Sequence, residues 1–353
     1  MSVLFQSFSL WLVSLVFVSS LIVTLSSSAW FTQQLENISD IFDLSPSLLG
    51  LLGALGANIP NYAASIVSIL HGQLTIGLGI IIGSNIYNVT IILSISTFAL
   101  PSLHGIVFKK KEAEDTRTVA LYTLAVLLTI FIALWISTFS SGIKAQAQVP
   151  LLAVVFLVII NLITLGIFSM LALHALHRIP HAEYTPPEDP VPSTTKKDGR
   201  IQRNILVIGK LLLSLLIAMG SVIIMVNSGE AFAAKVHMSQ VILGLVVLAV
   251  ATSLPNTVVA FSLARTHRAT VCVEEIFSSN SINATLGISL PLLFQHYVLH
   301  DSWLFYIDAP LMIILTFLAF LCVLKRRISQ PVAIGLFCAY FLWVGAHLLF
   351  HTT

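Results

Sequence analysis

Charge is what this 353-residue chain lacks: Asp, Glu, Lys and Arg make up 9% of it, against about 25% in an ordinary soluble domain. So few charges cannot cover a water-facing surface of this size. That excludes a soluble enzyme, a nucleic-acid binder and a disordered protein. Cysteine is scarce as well. Cys272, Cys322 and Cys338 sit in apolar runs without a C-x-x-C, too few for a disulfide framework, and read as core-packing residues. No P-loop, G-x-S-x-G or H-E-x-x-H occurs, so ATP-driven pumping and intramembrane metalloprotease chemistry have no support. What is there is apolar: 57% of the residues are hydrophobic, and mean hydropathy is +0.97.

A bilayer core about 30 Å thick takes about 20 apolar residues per helix. Such runs fall at 9–31, 45–70, 74–100, 118–139, 149–173, 204–226, 239–264, 270–293, 303–324 and 331–350. They are long and continuous rather than alternating, which argues against a β-barrel. No Lys or Arg precedes the first run, which is also long for a signal peptide, so it is expected to be a retained helix. The net charge of +2 becomes informative once the charges are placed. Nearly all Lys and Arg fall in odd-numbered connections: Lys109 to Lys111, Arg117, Arg178, Lys196, Lys197, Arg200, Arg203, Arg265, Arg268, and Lys325 to Arg327. Only Lys144 and Lys235 lie in even-numbered ones, and Lys210 lies just inside the sixth run. The positive-inside rule puts the odd connections in the cytoplasm and both termini on the other side. The longest connection, rich in Pro, Ser and charge, reads as a flexible cytoplasmic linker over 175–203 between halves 1–174 and 204–353.

The two halves repeat. ALGANIPN at 54–61 matches AVATSLPN at 249–256, and GSNIYN at 83–88 matches SSNSIN at 278–283. Pro255 lies 195 residues after Pro60, and the same offset relates Asn61 to Asn256, Ser84 to Ser279, Asn85 to Asn280 and Asn88 to Asn283. Unrelated polar residues would not keep one register. Five helices is an odd number, so the second copy enters the membrane from the opposite face. That inverted repeat is the plan of many secondary transporters, with the binding site at the midplane. Pro60 and Pro255 each remove a backbone donor mid-span and are expected to break or kink their helices. Broken backbone at that depth is tolerated where it lines a cavity or is buried in protein. Gly53, Gly56, Gly77, Gly79 and Gly83 would let helices approach closely.

These segments resemble the alpha-repeats of the calcium/cation antiporter superfamily, the sodium/calcium exchangers, which carry G-T-S-x-P-E and G-N-x-x-G-S-N-x-x-N/D. Here the first repeat (about 45–100) reads GANIPN and GIIIGSNIYN; the second (about 239–293) reads ATSLPN and EEIFSSNSIN. The resemblance covers nearly the whole chain. It implies an all-α integral membrane protein of ten transmembrane helices in two inverted five-helix repeats, exchanging small cations by alternating access. By position it implies an ion site of Asn58, Asn61, Ser84 and Asn88 with Thr252, Ser253, Asn256, Ser279 and Asn283. Ala57 stands where the family often has a coordinating Thr.

The departures bear on the cargo. Asn61 and Asn256 replace the two family glutamates, so the expected centre is a ring of four amides, Asn61, Asn88, Asn256 and Asn283, without a carboxylate. Calcium wants several oxygen ligands, normally including carboxylates. Three readings stay open: a transporter of a monovalent ion or other atypical cargo, calcium/cation exchange with the missing charge supplied by Glu275, and a non-transporting sensor or scaffold. Glu275 replaces a family Asn, has Ile80 as its repeat mate and shares a helix face with Ser279 and Asn283. With Glu274 it forms a possible inner vestibule, or else pairs with Arg265 or Arg268.

Asp301, Asp308 and Glu230 are expected at solvated interfaces, and His174, His177 and His181 at a helix end. The tryptophans fall mostly toward span ends, as in aromatic belts. Expected partners are the bilayer and small inorganic ions, with no nucleic acid. No cofactor beyond a bound or transported cation, and no high-affinity structural metal site, is expected.

Overall fold

A computed structural model describes residues 5–42, 55–100, 104–141, 153–164, 166, 195–265, 269–294 and 303–350. Gly53, Lys144, Arg268, Asp301, the three histidines His174, His177 and His181 and most of the expected linker lie outside them. We number the helices α1 (Leu10–Phe42), α2 (Ile59–Leu70), α3 (Leu74–Phe98), α4 (Lys110–Ser141), α5 (Ala153–Thr164), α6 (Thr195–Lys235), α7 (Gln240–Arg265), α8 (269–292), α9 (Leu304–Leu324) and α10 (Gln330–Phe350). Seven helices among the described residues are long and apolar enough to cross a membrane.

Several helices outrun their apolar runs. α4 begins at Lys110, eight residues before the expected span, and α6 begins at Thr195. The last residues of the expected flexible linker are therefore helical. Continuing an existing helix adds one hydrogen bond per residue fixed and needs no new nucleus, so polar flanking residues extend it.

Two small contacts fix which ends lie together. Strands β1 (Ile106–Val107) and β2 (Arg327–Ile328) pair antiparallel, Ile106 opposite Ile328. This joins the Lys-rich connection before α4 to the Lys/Arg-rich turn between α9 and α10. At the other end Gln240 Nε2 donates to Gln73 Oε1 at 3.1 Å, joining the α2–α3 turn to the start of α7. The end of α2 and the start of α7 thus share one face of the molecule, so these repeat helices run in opposite directions.

Packing follows the same inversion. α10 packs on α3, and α5 is tied to α8 by Asn161 Nδ2 donating to Ser289 Oγ at 2.6 Å. α4 packs on α8, and its repeat mate α9 packs on α3. Each half therefore wraps the repeat helices of the other. α1 and α6 pair along their length outside this core, and most of their span surface remains exposed. The chain is an all-α integral membrane fold.

Close approach at the centre rests on glycine. A Cβ on Gly83 would collide with the Leu245 carbonyl oxygen, and one on Gly244 would lie 2.7 Å from the Ile76 carbonyl oxygen. Bare backbone lets α3 and α7 touch here.

Three expectations need correction. The helix before Pro60 breaks at Asn58, which sits at φ −93°, ψ 0°, but Pro255 lies inside an unbroken helix. Cys338 is exposed rather than packed in the core, whereas Cys272 is buried. Asp308 is fully buried rather than solvated.

Candidate cation-binding site

All nine residues expected to face the ion are buried: Asn58, Asn61, Ser84, Asn88, Thr252, Ser253, Asn256, Ser279 and Asn283. Rather than one ring, eight of them take part in two hydrogen-bonded groups. The groups are linked along the chain by the neighbours Ser84–Asn85 and Ser279–Asn280.

The first group lies on the pseudo-twofold axis. Asn85 Nδ2 donates to the Asn280 carbonyl at 3.2 Å, and Asn280 Nδ2 donates to the Asn85 carbonyl at 3.2 Å. A backbone carbonyl can only accept, so both amide orientations are fixed. Each Oδ1 then accepts from the other repeat: Asn88 Nδ2 donates to Asn280 Oδ1 at 2.8 Å, and Asn283 Nδ2 donates to Asn85 Oδ1 at 3.2 Å. With their nitrogens committed, Asn88 and Asn283 are left with buried Oδ1 atoms that have no hydrogen-bond partner. Both stand where their helices change register. π-helical turns run Asn88–Ile92 and Asn283–Ser289, starting at repeat-related asparagines. Such single turns recur at functional sites. The second precedes Pro291, whose missing N–H deprives the Gly287 carbonyl of its α-helical donor.

The second group is a directed chain ending at Glu275. Ser279 Oγ donates to Glu275 Oε1 at 2.9 Å. That hydroxyl accepts from Asn58 Nδ2 at 2.8 Å. Asn58 Oδ1 accepts from Asn61 Nδ2 at 3.1 Å and from Asn256 Nδ2 at 2.8 Å. Ser279 and Asn58 each accept at their oxygen and donate onward, so the bonds run in one direction toward Glu275 Oε1. Asn61 Oδ1 receives two long contacts, from Ser84 Oγ at 3.3 Å and Ser253 Oγ at 3.5 Å. Asn256 Oδ1 and Glu275 Oε2 are shielded and without a partner. Thr252 is the exception: its hydroxyl turns back to the Leu248 carbonyl at 2.7 Å, on its own helix.

A buried polar atom left unpaired costs about 1–3 kcal/mol, and in native structures it calls for a reason such as an ion or water. Here three amide oxygens and one carboxylate oxygen, spread over α3, α7 and α8, share that condition. All four are hard oxygen donors, the kind that alkali and alkaline-earth cations take. Amides do not titrate in the useful range, so Glu275 is the acid–base group of this set.

The two vestibule residues part company. Glu274 Oε1 accepts from Thr116 Oγ1 of α4 at 3.0 Å, away from Ser279. Among the described residues no ion pair within 4.0 Å joins either glutamate to Arg265, which lies 5.7 Å over the Phe261 ring. A third carboxylate sits at the Gln73–Gln240 end. Glu230 accepts from Gln73 Nε2 at 3.4 Å and lines a pocket of about 310 Å³ with Gln6, Gln73 and Gln240. Its Oε1 is shielded without a partner, while the residue as a whole is half-buried. Asn85 and Asn280, which carry the first group, were visible in the 195-residue register but outside the ion-facing set; what singles them out is their pairing across the axis.

Two stretches of the sequence, 12–172 and 206–349, match the family described as sodium/calcium exchanger protein. The chain belongs to that family. Its members are transporters rather than enzymes. A putative antiporter, CaxA of Alkalimonas amylolytica, is 34% identical over 119 residues, covering 33% of this chain and 36% of that relative's length. The inner membrane protein YrbG of Escherichia coli K12 is 22% identical over 293 residues, 82% of each chain. The fold matches that of the sodium-calcium exchanger NCX_Mj soaked with Na⁺ and Sr²⁺, with a TM-score of 0.61 and 16% identity, covering 96% of this chain and 99% of that one.

Proposed function

We propose that this protein is a cation antiporter whose ion binds among the amide oxygens of Asn88, Asn256 and Asn283, with Asn61 and the hydroxyls of Ser84 and Ser253 beside them. Asn58, Ser279, Asn85 and Asn280 orient these donors, and Thr252 stands at the edge. Glu275 supplies the one negative charge. The observation that carries the reading is the set of shielded oxygens whose own nitrogens are tied to neighbours, which leaves the site acceptor-only.

One carboxylate favours a monovalent cation. A dication would leave one positive charge uncompensated, and desolvating an ion costs several kcal/mol or more even after relaxation. Calcium exchange is the second reading, favoured by the reach of Glu275 into the site through Ser279. Alternating access would move the halves 1–174 and 204–353 about the α3–α8 axis. The Lys- and Arg-bearing connections would face the cytoplasm, and both termini the opposite side.

Purified protein in liposomes tests this directly. A monovalent-cation gradient is expected to drive counterflow of a second cation, together with an ion-dependent rise in melting temperature. Robust calcium exchange would overturn the monovalent cargo and favour the second reading. Absence of flux together with absence of any ion-dependent thermal shift would leave the fold as a sensor or scaffold.

A further inference from the structure

Near the turn that joins α9 to α10, a groove of about 900 Å³ opens between the two helices. Its walls are apolar: Leu315, Leu318 and Leu321 come from α9, Val332 and Leu336 from α10. Leu318 is 45% exposed and Val332 37%, so the groove is open at the surface. Gly335 also lines it, and a Cβ there would meet nothing within 4 Å. All of these residues belong to the apolar spans Leu304–Leu324 and Gln330–Phe350.

The turn end of the groove is cationic. Lys325 and Arg327 line it, and both are exposed. Among the described residues no acidic side chain lines the groove, and no carboxylate lies within 4.0 Å of either cation. Backbone bonds hold the two in place. Lys325 N donates to the Leu321 carbonyl at 3.1 Å, and Phe108 N donates to the Arg326 carbonyl at 3.0 Å. The strand pairing sets Arg327 opposite Val107. The Arg327 side chain is ordered as well: Nε donates to the His104 carbonyl at 3.1 Å, and Nη2 lies 3.3 Å from His104 Nδ1. These contacts use one edge of the guanidinium and leave Nη1 to donate elsewhere. From Lys325 back to Leu315 the helix rises about 15 Å, so the cations and the apolar wall form one track.

A surface groove between two membrane spans meets lipid chains, which are as apolar as its leucines. Apolar walls alone accept any lipid. Two cations at the end of the spans select a negatively charged one, because basic pockets between membrane helices bind acidic headgroups. We propose that the α9–α10 groove binds an anionic phospholipid, with an acyl chain against Leu315, Leu318 and Leu336 and the phosphate between Lys325 and Arg327. A zwitterionic lipid brings its own cation to the same place and gains less. A free phosphate would use the cations but leave the leucines uncovered.

Native mass spectrometry of the full-length protein in detergent tests the site. The probes are phosphatidylglycerol, phosphatidylcholine with the same chains, and inorganic phosphate. Phosphatidylglycerol is expected to bind at about tenfold lower concentration than phosphatidylcholine, and inorganic phosphate is expected not to displace it. Lys325→Gln together with Arg327→Gln should weaken phosphatidylglycerol about twenty-five-fold, at about fivefold for each charge. Gly335→Phe fills the groove without touching the cations and should weaken both lipids. Arg265→Gln, which removes a cation from the end of another span, should change neither. Equal retention of the two lipids, displacement by inorganic phosphate, or unchanged phosphatidylglycerol binding in Gly335→Phe overturns the assignment. So does a mass of two chains that reverts to one in Gly335→Phe, which would give the groove to a second copy. Melting temperature without added lipid checks that each variant folds. If Gly335→Phe does not, the comparison of lipids and the double charge variant still decide. The readout needs no transported ion, so it stands apart from the cargo proposed above.

Discussion

Ser84 and Ser279 are repeat mates, yet their hydroxyls serve different partners. Ser84 donates to Asn61 on the neighbouring helix at 3.3 Å, whereas Ser279 donates to Glu275 one turn back along its own helix at 2.9 Å. The cause is one substitution between the repeats, Ile80 against Glu275. The carboxylate captures the hydroxyl, and Asn256 Oδ1 is left without the donor that its mate Asn61 receives. A symmetric scaffold thus acquires an asymmetric centre with a single carboxyl group.

Asn283→Ala and Asn88→Ala each remove one free oxygen. A hydrogen-bond-like contact to a charge is worth about 1.5–3 kcal/mol, so monovalent-cation affinity should fall by roughly ten- to a hundredfold in a thermal-shift titration. Asn280→Ala should cost as much without touching the ion, because it releases Asn88 and uncouples Asn85.

Glu275→Gln removes the charge and adds a donor that competes with Ser279. Exchange in liposomes should drop below a tenth of the native rate while the protein stays folded, since Ser279 can still bond to the amide. Retained native exchange would show that the charge lies elsewhere.

Replacing Asn61 and Asn256 together by Glu puts carboxylates where the exchanger motif has them. Calcium binding, measured by isothermal titration, should appear in the double variant. Unchanged behaviour would argue that these positions do not face the ion.

Gly83→Val forces side-chain atoms into the Leu245 carbonyl. Overpacking of this kind costs about 1–3 kcal/mol, and here it spreads α3 from α7. Both the melting temperature and cation affinity should fall, whereas Gly335→Val, which has open space around it, should change neither.

Glu230→Gln leaves the central cluster intact and neutralises the pocket at the Gln73–Gln240 end. Apparent affinity for cation added on that side should weaken severalfold at low salt, with little change at high salt, as expected for an electrostatic entry site.

Much of this was legible in the residues. Long apolar runs announced a membrane protein, and the constant offset from Pro60 to Pro255 announced two related halves. The same offset identified Asn58, Asn61 and Asn88 with their mates before any contact was known. Other features were not legible. Asp308 meets His347 at 2.8 Å, yet the two are 39 residues apart on different helices, so nothing local couples them. Pro255 and Pro60 occupy equivalent positions, yet only the helix at Pro60 breaks. The π-turns at Asn88 and Asn283 leave no sequence pattern of their own.

By itself the sequence determined composition, periodicity, register and the sidedness of charge, because each of these is a property of neighbours along the chain. It therefore determined that two homologous, oppositely inserted sets of polar residues exist. Only the tertiary structure decided which end of each amide remains free. That depends on where donors from other helices arrive: the Asn85 and Asn280 carbonyls fix one set of orientations, and the chain of bonds running to Glu275 fixes the other. Hydrogen-bond direction is settled by partners in space.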